Sequence, residues 1–180
     1  MKRMICLIPV LLIVACATAN ETAVECDPAK RNFSVEYPAE WKQLNTKEVF
    51  IITREDPFSQ YILFRQRHLT DPFPHTRRGF SRNMPPLEAA AVVIDEMKSD
   101  PSVLNLEVTE TAPALVSSYP GFKLVFTYGI SDGHRFKTIY YGLLQGDWFY
   151  SIRYNASPSA YSEKDVEDFG WVLKSFRCKG

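Results

Sequence analysis

The chain has 180 residues, in which 21 lysines and arginines balance 21 aspartates and glutamates, and 46% of the residues are hydrophobic. This length suits one globular domain and is short for two. The aromatic and β-branched content excludes disorder for most of the chain, because such side chains can build a core. A net charge of zero argues against a nucleic-acid partner, which requires a basic excess.

The amino terminus has the pattern of an export signal. Lys2 and Arg3 form a basic start, and residues 5–15 form an apolar run of 11 residues. Such a run is too short for a helix across a hydrocarbon core, which takes about 20 residues. A basic start before a short apolar run is typical of a signal peptide, and we expect residues 1–15 to be one.

Two cleavage sites follow this run. Residues 13–16, IVAC, resemble the lipobox of bacterial lipoproteins, in which the cysteine becomes the first residue and carries acyl chains. Residues 17–19, ATA, instead match an ordinary signal-peptidase site that would leave Asn20 first. We expect lipidation, including palmitate, at Cys16, because it directly follows the apolar run, and a short tether over residues 16–29.

The lipobox resemblance also implies a location. It predicts a lipid-anchored, periplasm-facing protein of the bacterial cell envelope. The outer membrane is favoured, because alanine rather than aspartate follows Cys16.

Two further cysteines bracket the globular part of the chain. Cys26 and Cys178 form an even pair in an exported protein, which favours a disulfide. In the loop-entropy description such a bridge contributes about 4–5 kcal/mol. The alternative is a pair of unrelated thiols near the chain ends. A zinc site is not favoured, because no C-x-x-C pattern is present.

The first half of the globular part predicts strands followed by a loop. Residues 33–37, FSVEY, alternate apolar and polar side chains, which is the period of a half-buried strand. Residues 48–54 and 61–69 are rich in β-branched and aromatic side chains and predict two more strands. Residues 70–86 hold four prolines and a glycine, which predicts a long loop of the kind that carries function.

A helix is predicted after this loop, because proline is tolerated in a first helical turn. It is expected to start at Pro85–Pro86 and to stop near Pro101, with a strand over residues 103–114 after it. Helical spacing predicts an apolar face made of Leu87, Ala90, Ala91, Ile94 and Met97.

The last third predicts an antiparallel meander and a final helix. The meander has a hairpin turn at Asp132–Gly133, and its strands are expected at 122–130, 135–144 and 148–154. Ser162, with Asp165 three residues later, is typical of a helix N-cap. The helix is expected to bury Val166, Phe169, Leu173 and Phe176. Many strands and few helices predict an α+β fold with a mostly antiparallel sheet.

Two segments resemble the PsbP-like superfamily. Residues 33–41, FSVEYPAEW, are similar to its opening strand and turn, and residues 147–177 are similar to its last strand and C-terminal helix. The lipobox makes the chain most similar to the bacterial envelope lipoprotein branch (DcrB-like). The resemblance implies a single domain over residues 30–180, with an antiparallel sheet flanked by helices on both faces as an α/β/α sandwich. It also implies accessory binding without catalysis or a cofactor.

The loop over residues 70–86 is the first candidate binding site. Its cations Arg77, Arg78 and Arg82 surround Phe80, and arginine and aromatic side chains are enriched at interface hot spots. The alternative is an ordinary solvated loop. The favoured function is therefore an assembly accessory of a membrane-associated complex, with the membrane and another envelope protein as partners.

The second candidate site is an aromatic groove on the sheet at Tyr141 and Trp148, for a small ligand of a periplasmic or secreted binding protein. Packing between strands is the alternative interpretation of these aromatic residues. His68, Asp71 and His75 do not have the spacing of a metal site, and no catalytic motif is present. We expect no metal and no enzymatic activity.

Overall fold

The computed structural model describes residues 21–24, 31–44, 46 and 49–179. The expected signal peptide, the lipidation site Cys16 and the disulfide partner Cys26 lie outside these residues. In the described part of the chain, no helix has both the length and the hydropathy needed to cross a membrane.

About half of the described residues lie in strands. Its elements are β1 (Glu21–Val24), β2 (Phe33–Pro38), β3 (Lys42–Leu44), β4 (Phe50–Thr53), β5 (Gln60–His68), α1 (Pro86–Ser99), β6 (Leu104–Val116), β7 (Tyr119–Gly129), β8 (Arg135–Gln145), β9 (Trp148–Ala156), α2 (Glu163–Ser175) and β10 (Arg177–Cys178). The pairings between described strands are antiparallel. The predicted α+β class with an antiparallel sheet is confirmed.

The main sheet has the order β3-β4-β5-β9-β8-β7-β6. The predicted meander is confirmed, because β7, β8 and β9 are neighbours joined by two tight turns. Gly133 has φ +90° and Gly146 has φ +60°, which are left-handed conformations that favour glycine. β9 also pairs along its whole length with β5, from Gln60 opposite Ala156 to His68 opposite Trp148.

The first predicted strand lies outside the main sheet. The expected strand over residues 33–37 is present as β2, but it belongs to a second sheet of order β1-β2-β10. β10 follows α2 after one residue and pairs Cys178 with Phe33. The chain therefore returns from α2 onto β2, whose Phe33 and Val35 are buried.

The C-terminal helix begins as predicted. The Ser162 hydroxyl accepts a hydrogen bond from the backbone N–H of Asp165 at 3.2 Å. This contact satisfies one of the N–H groups that a first helical turn leaves unpaired. Phe169, Leu173 and Phe176 are buried, which confirms most of the predicted apolar stripe.

Arg54 fastens α2 to the edge of the main sheet. Its guanidinium donates to Asp165 Oδ1 at 2.7 Å and to Asp168 Oδ2 at 2.8 Å, and it also pairs with Glu40. The Trp41 indole N–H donates to the same Asp168 oxygen at 3.0 Å. Both α2 carboxylates are largely screened from solvent, so removal of the arginine would leave them without their main counter-charge.

The buried face of α1 differs from the prediction. Leu87 is 47% exposed and Ala91 is also exposed. The buried residues are Ala89, Ala90, Val92, Val93 and Glu96. Of the predicted face, Ala90 is buried and Ile94 and Met97 pack partly buried against the same cluster. Glu96 is a buried charged residue that binds the preceding loop.

Two hydrophobic clusters accompany the main sheet. One contains α2 residues such as Phe169 together with Tyr150 of β9. The other contains α1 residues such as Val93, together with Phe80 of the loop and Phe149 of β9. Residues of the cluster that contains α1, such as Val93 and Phe149, also line a cavity.

Candidate functional site

A cavity of about 550 Å³ lies between α1, the loop over residues 70–85 and the central strands. This volume is within the usual range of small-ligand sites. Its walls combine apolar, aromatic and charged side chains. They are Leu63, Arg65, Gln66, Arg67, Asp71, Phe73, Pro74, His75, Val93, Glu96, Met97, Asp100, Ser102, Val103, Tyr128, Ile130, Tyr140, Phe149, Ser151 and Arg153.

The pairing of β5 with β9 places two arginines on the floor of this cavity. Arg65 lies opposite Ser151, and Arg153 lies opposite Leu63 two residues along. These positions are diagonal neighbours on one face of the pair, a separation that long side chains can bridge. The two guanidinium groups therefore share one region of the cavity.

The charge of Arg65 is poorly compensated. Burial lowers the pKa of its guanidinium, and the positive charge of Arg153 lowers that pKa further. Arg65 is nevertheless an exposed residue, so water shares in compensating its charge. Arg153 also carries a buried Nε that has no hydrogen-bond partner. An unmade hydrogen bond at a buried charged group is costly unless something else supplies the acceptor.

Tyr140 completes this part of the floor as a neutral phenol. Burial raises the pKa of Tyr140 to about 12, although a hydrogen bond with Ser151 and the charges of Arg153 and Arg65 act in the opposite direction. Burial likewise raises the pKa of Tyr128. These phenols stay protonated at neutral pH and can donate hydrogen bonds.

The roof of the cavity is held by Glu96 of α1. Its carboxylate accepts hydrogen bonds from the backbone N–H of His75 at 3.1 Å, and from the N–H and hydroxyl of Thr76 at 2.9 Å each. Burial acts to raise the pKa of Glu96, but these hydrogen bonds outweigh it and hold the pKa below its ordinary value. His75 Nε2 lies 3.6 Å from Asp100 Oδ2 at the same end of the helix.

An aromatic and cationic stack supports the loop from below. The Arg67 guanidinium donates to the Pro72 carbonyl at 3.0 Å and lies 4.6 Å from the centroid of the Phe73 ring. Phe80 contacts Phe73 and lies 4.2 Å from the Phe149 ring centroid. The long loop is therefore ordered by packing on the sheet.

The predicted loop residues have different environments. Phe80 is buried, so it anchors the loop and is not exposed to a partner. Arg78 pairs with Asp95 of α1, and Arg82 pairs with Asp147 in the β8–β9 turn. Arg77 is exposed and has φ +57°, a left-handed conformation that is uncommon outside glycine.

The predicted aromatic groove is not where the cavity lies. Tyr141 packs against Phe169 of α2, with ring centroids 6.0 Å apart. Trp148 meets the His68 ring edge-on at 5.2 Å. Neither Tyr141 nor Trp148 lines the cavity beneath the loop.

The remaining candidate residues do not assemble into one site. His68 bonds Thr70 through Nδ1 at 2.7 Å, while His75 faces Asp100 and Asp71 lies at the cavity wall. Within the described residues, no group of three metal-ligating side chains comes together. Among the described residues Cys178 has no disulfide partner, and burial raises the pKa of its thiol to about 11. Its predicted bridge to Cys26 stays a prediction.

Sequence reasoning missed the arginine floor. Residues 61–69 were predicted only as a strand, and no local pattern brought its arginines together with Arg153. The available signal was arginine inside two predicted strands, with Arg65 and Arg67 in one and Arg153 in the other. Only the pairing of β5 with β9 shows that these charges meet.

No family model and no curated protein matches the chain by sequence. The fold, however, is similar to solved structures. Cyanobacterial PsbP (CyanoP) from Synechocystis matches with a TM-score of 0.58 and 11% identity, over 91% of this chain and 95% of that chain. The chain therefore has the fold of this cyanobacterial PsbP.

A second match is LpqN of Mycobacterium tuberculosis, described as involved in cell envelope biogenesis. It has a TM-score of 0.53 and 13% identity, over 89% of this chain and 91% of that chain. A Bacteroides thetaiotaomicron protein matches with a TM-score of 0.48 and 11% identity, over 83% of this chain but 46% of that chain. At these identities the likeness concerns the PsbP-like fold alone.

Proposed function

We propose that this protein is a non-catalytic binding domain of the bacterial cell envelope, held at a membrane by a lipid on Cys16. The basic start, the short apolar run and the IVAC sequence support the anchor. The fold shared with LpqN, a protein of cell envelope biogenesis, is compatible with that location. The proposal includes that the domain faces the periplasm, and it favours the outer membrane as the membrane that holds the anchor.

The cavity carries the binding function. A space of about 550 Å³ with apolar walls and a few converging polar groups suits a small ligand better than a flat protein surface. From the sequence alone, small-ligand binding was the alternative to an assembly role. With this cavity, it becomes the main proposed function. Its site is the cavity beneath the loop, in place of the groove at Tyr141 and Trp148.

The state of the ionisable groups supports a role without catalysis. General acid–base catalysis needs a pKa close to the working pH. The pKa of Tyr140 lies at about 12 and that of Glu96 lies below its ordinary value, so both shifts lead away from neutrality. Glu96 is also occupied by the loop that it holds.

The assembly of a membrane-associated complex is a second candidate function. It is favoured by Arg77, which is exposed on a loop that packing and hydrogen bonds hold in place. A membrane anchor would raise the local concentration of such a surface for an envelope partner. Replacement of Arg77 by alanine should weaken a complex recovered by cross-linking in the membrane, whereas Arg135→Ala, an exposed control outside the loop, should not.

We also propose the sandwich arrangement for the sheet. Neighbouring residues of a strand point to opposite faces, and Phe149 and Tyr150 belong to the α1 and α2 clusters respectively. This alternation supports one helix on each face, with the cavity on the α1 side.

One comparison tests the binding function. Asp71 is exposed at the cavity wall, so Asp71→Trp should obstruct the cavity, while Glu107→Trp makes the same change on an exposed part of β6. A small molecule that copurifies with the wild type and the Glu107 variant, but not with the Asp71 variant, is the expected result in mass spectrometry. Equal recovery from all three proteins, or none from any of them, would contradict the proposed site.

The anchor and the disulfide are tested by the intact mass of the protein from its own membranes. A mass that starts at Cys16 with acyl chains is expected, with a gain of two hydrogen atoms per bridge on reduction. A mass that starts at Asn20 without lipid would reject the anchor, and an unchanged mass on reduction would reject the Cys26–Cys178 bridge.

A further inference from the structure

Three arginines line the cavity, and one of them, Arg67, binds the Pro72 carbonyl and the Phe73 ring. Among the described residues, neither Arg65 nor Arg153 has a carboxylate oxygen within 4.0 Å. The charged groups that act on Arg65 are arginines and tyrosines. The buried Nε of Arg153 has no acceptor. Arg65 and Arg153 are thus neighbours on one face of the sheet, and the Nε–H of Arg153 has no acceptor among the described residues.

The acidic residues of the cavity are committed to other contacts. Glu96 accepts hydrogen bonds from the loop. Asp100 accepts from the N–H of Ser102 at 2.9 Å and from its hydroxyl at 2.6 Å. Asp71 is exposed to solvent at the opening. The positive charge on the floor is therefore separated from the negative charge at the roof.

Arg65 and Arg153 are diagonal neighbours of like charge, so their repulsion has a cost, which the exposure of Arg65 to solvent reduces. An oxyanion would remove that cost, because guanidinium groups bind carboxylate and phosphate oxygens through paired, charge-assisted hydrogen bonds. The neutral phenol of Tyr140 beside Arg153 could add a further donor.

The apolar side chains of the cavity indicate the chemistry of the part of the ligand that does not contact the arginines. Phe73, Phe149, Val93 and Met97 provide an apolar wall on the side of the loop and α1. Inorganic phosphate would leave this wall uncovered. A ligand with an apolar body and one oxyanion group would use both parts.

We propose that the cavity binds a small organic oxyanion, a carboxylate or a phosphate monoester, with Arg65 and Arg153 on the oxyanion and the apolar body beneath the loop. The proposal rests on the cavity being the binding site, and it adds the chemical class of the ligand.

The test is a titration of the full chain followed by NMR, with probes that share a phenyl ring. Benzoate and phenyl phosphate are the two anionic probes, and they distinguish a carboxylate from a phosphate. Benzamide is the neutral control and benzylammonium is the cationic control. Inorganic phosphate tests whether the charge alone is enough. We expect saturable shifts at cavity residues with one or both anionic phenyl probes, and weaker binding of the other three.

Matched variants then assign the binding to the two arginines. Arg65→Gln and Arg153→Gln should each raise the Kd on the order of tenfold or more, which corresponds to the loss of a charge-assisted hydrogen bond. Arg135→Gln removes the same charge from an exposed position outside the cavity and should leave the Kd unchanged. Arg65→Gln should also keep or raise the thermal stability of the empty protein, because it relieves the repulsion with Arg153.

Three results would overturn the proposal. The first is equal binding of benzamide and benzoate, and the second is binding that both arginine variants retain. The third is the absence of shifts with either anionic phenyl probe. If a neutral or cationic probe binds and Asp71→Trp blocks it, the cavity remains a binding site and only the ligand class is wrong. If no probe binds and no copurifying molecule depends on the cavity, the proposed function fails as well.

Discussion

The tether between α1 and the loop predicts a measurable effect of one isosteric substitution, Glu96→Gln. The Glu96 carboxylate receives three hydrogen bonds from His75 and Thr76, two of them at one oxygen. A glutamine keeps one acceptor oxygen and places an NH₂ group where the other oxygen was. In the variant, an NH₂ group would therefore face hydrogen-bond donors of the loop at a place where a carboxylate oxygen accepts from them in the wild type.

The magnitude follows from these contacts. Hydrogen bonds to a charged group contribute about 1.5–3 kcal/mol each. The variant loses at least one of them and the charge assistance of the rest, but water can reach the exposed His75 side of the loop. We expect the free energy of unfolding to fall by about 2 kcal/mol at pH 7.

The same contact predicts a dependence on acid. The folded-state pKa of Glu96 is lower than its ordinary value, so the carboxylate stabilises the fold above the unfolded pKa near 4.5. This stabilisation is lost as the pH falls through the lowered folded-state pKa. The difference in stability between the wild type and Glu96→Gln should therefore shrink below about pH 4.5.

Urea unfolding at pH 7 and at acid pH measures both effects, and hydrogen exchange reports the His75 and Thr76 amides directly. Asp95→Asn is the control, because Asp95 lies next to Glu96 but forms only an exposed pair with Arg78. That change should cost no more than about 0.5 kcal/mol. Equal stability of Glu96→Gln and the wild type, with unchanged exchange at both amides, would refute the tether.

Other positions give equally direct expectations. Gly142→Ala should destabilise the fold by about 1–3 kcal/mol, because a Cβ there would lie 2.3 Å from Cζ of Phe122. Gly170→Ala in α2 should instead stabilise it by about 0.5–1 kcal/mol, since no atom lies within 4 Å of the added Cβ. Arg54→Met should cost about 3 kcal/mol, because two poorly exposed carboxylates of α2 lose their counter-charge. The pKa of Tyr140 is raised to about 12 from 10.0, so its stabilisation is complete below pH 10 and lost as the pH rises through 12. Tyr140→Phe should therefore lose less stability than the wild type over that interval.

Chemical unfolding of matched variants checks these expectations. Equal stability of the two glycine variants would contradict the close approach of the Phe122 ring to β8. Arg82→Met is the control for Arg54→Met, because Arg82 forms an exposed pair. Similar losses in these two variants would show that Arg54 does not fasten α2. An identical alkaline profile for the wild type and Tyr140→Phe would contradict the burial of that phenol.

The sequence by itself determined the parts of this protein that depend on short-range signals. The turn at Asp132–Gly133 and the cap at Ser162 each depend on residues within a few positions of one another. The PsbP-like segments at the two ends of the domain led to the correct fold, because the residues of these motifs are structural. Strand type and helix existence were predictable for the same reason, since periodicity is a local property.

Tertiary structure decided the site. Arg65 and Arg153 become neighbours only because β5 pairs with β9, and no local pattern specifies which strands pair. Glu96 of α1 is buried because its hydrogen-bond partners lie on a loop some 20 residues earlier in the chain. Phe80 was expected at the surface, but it is buried because Phe149 and Phe73 offer it an aromatic contact. A charge in an apolar strand is visible in the sequence, whereas its distance from the next such charge is a property of the folded sheet.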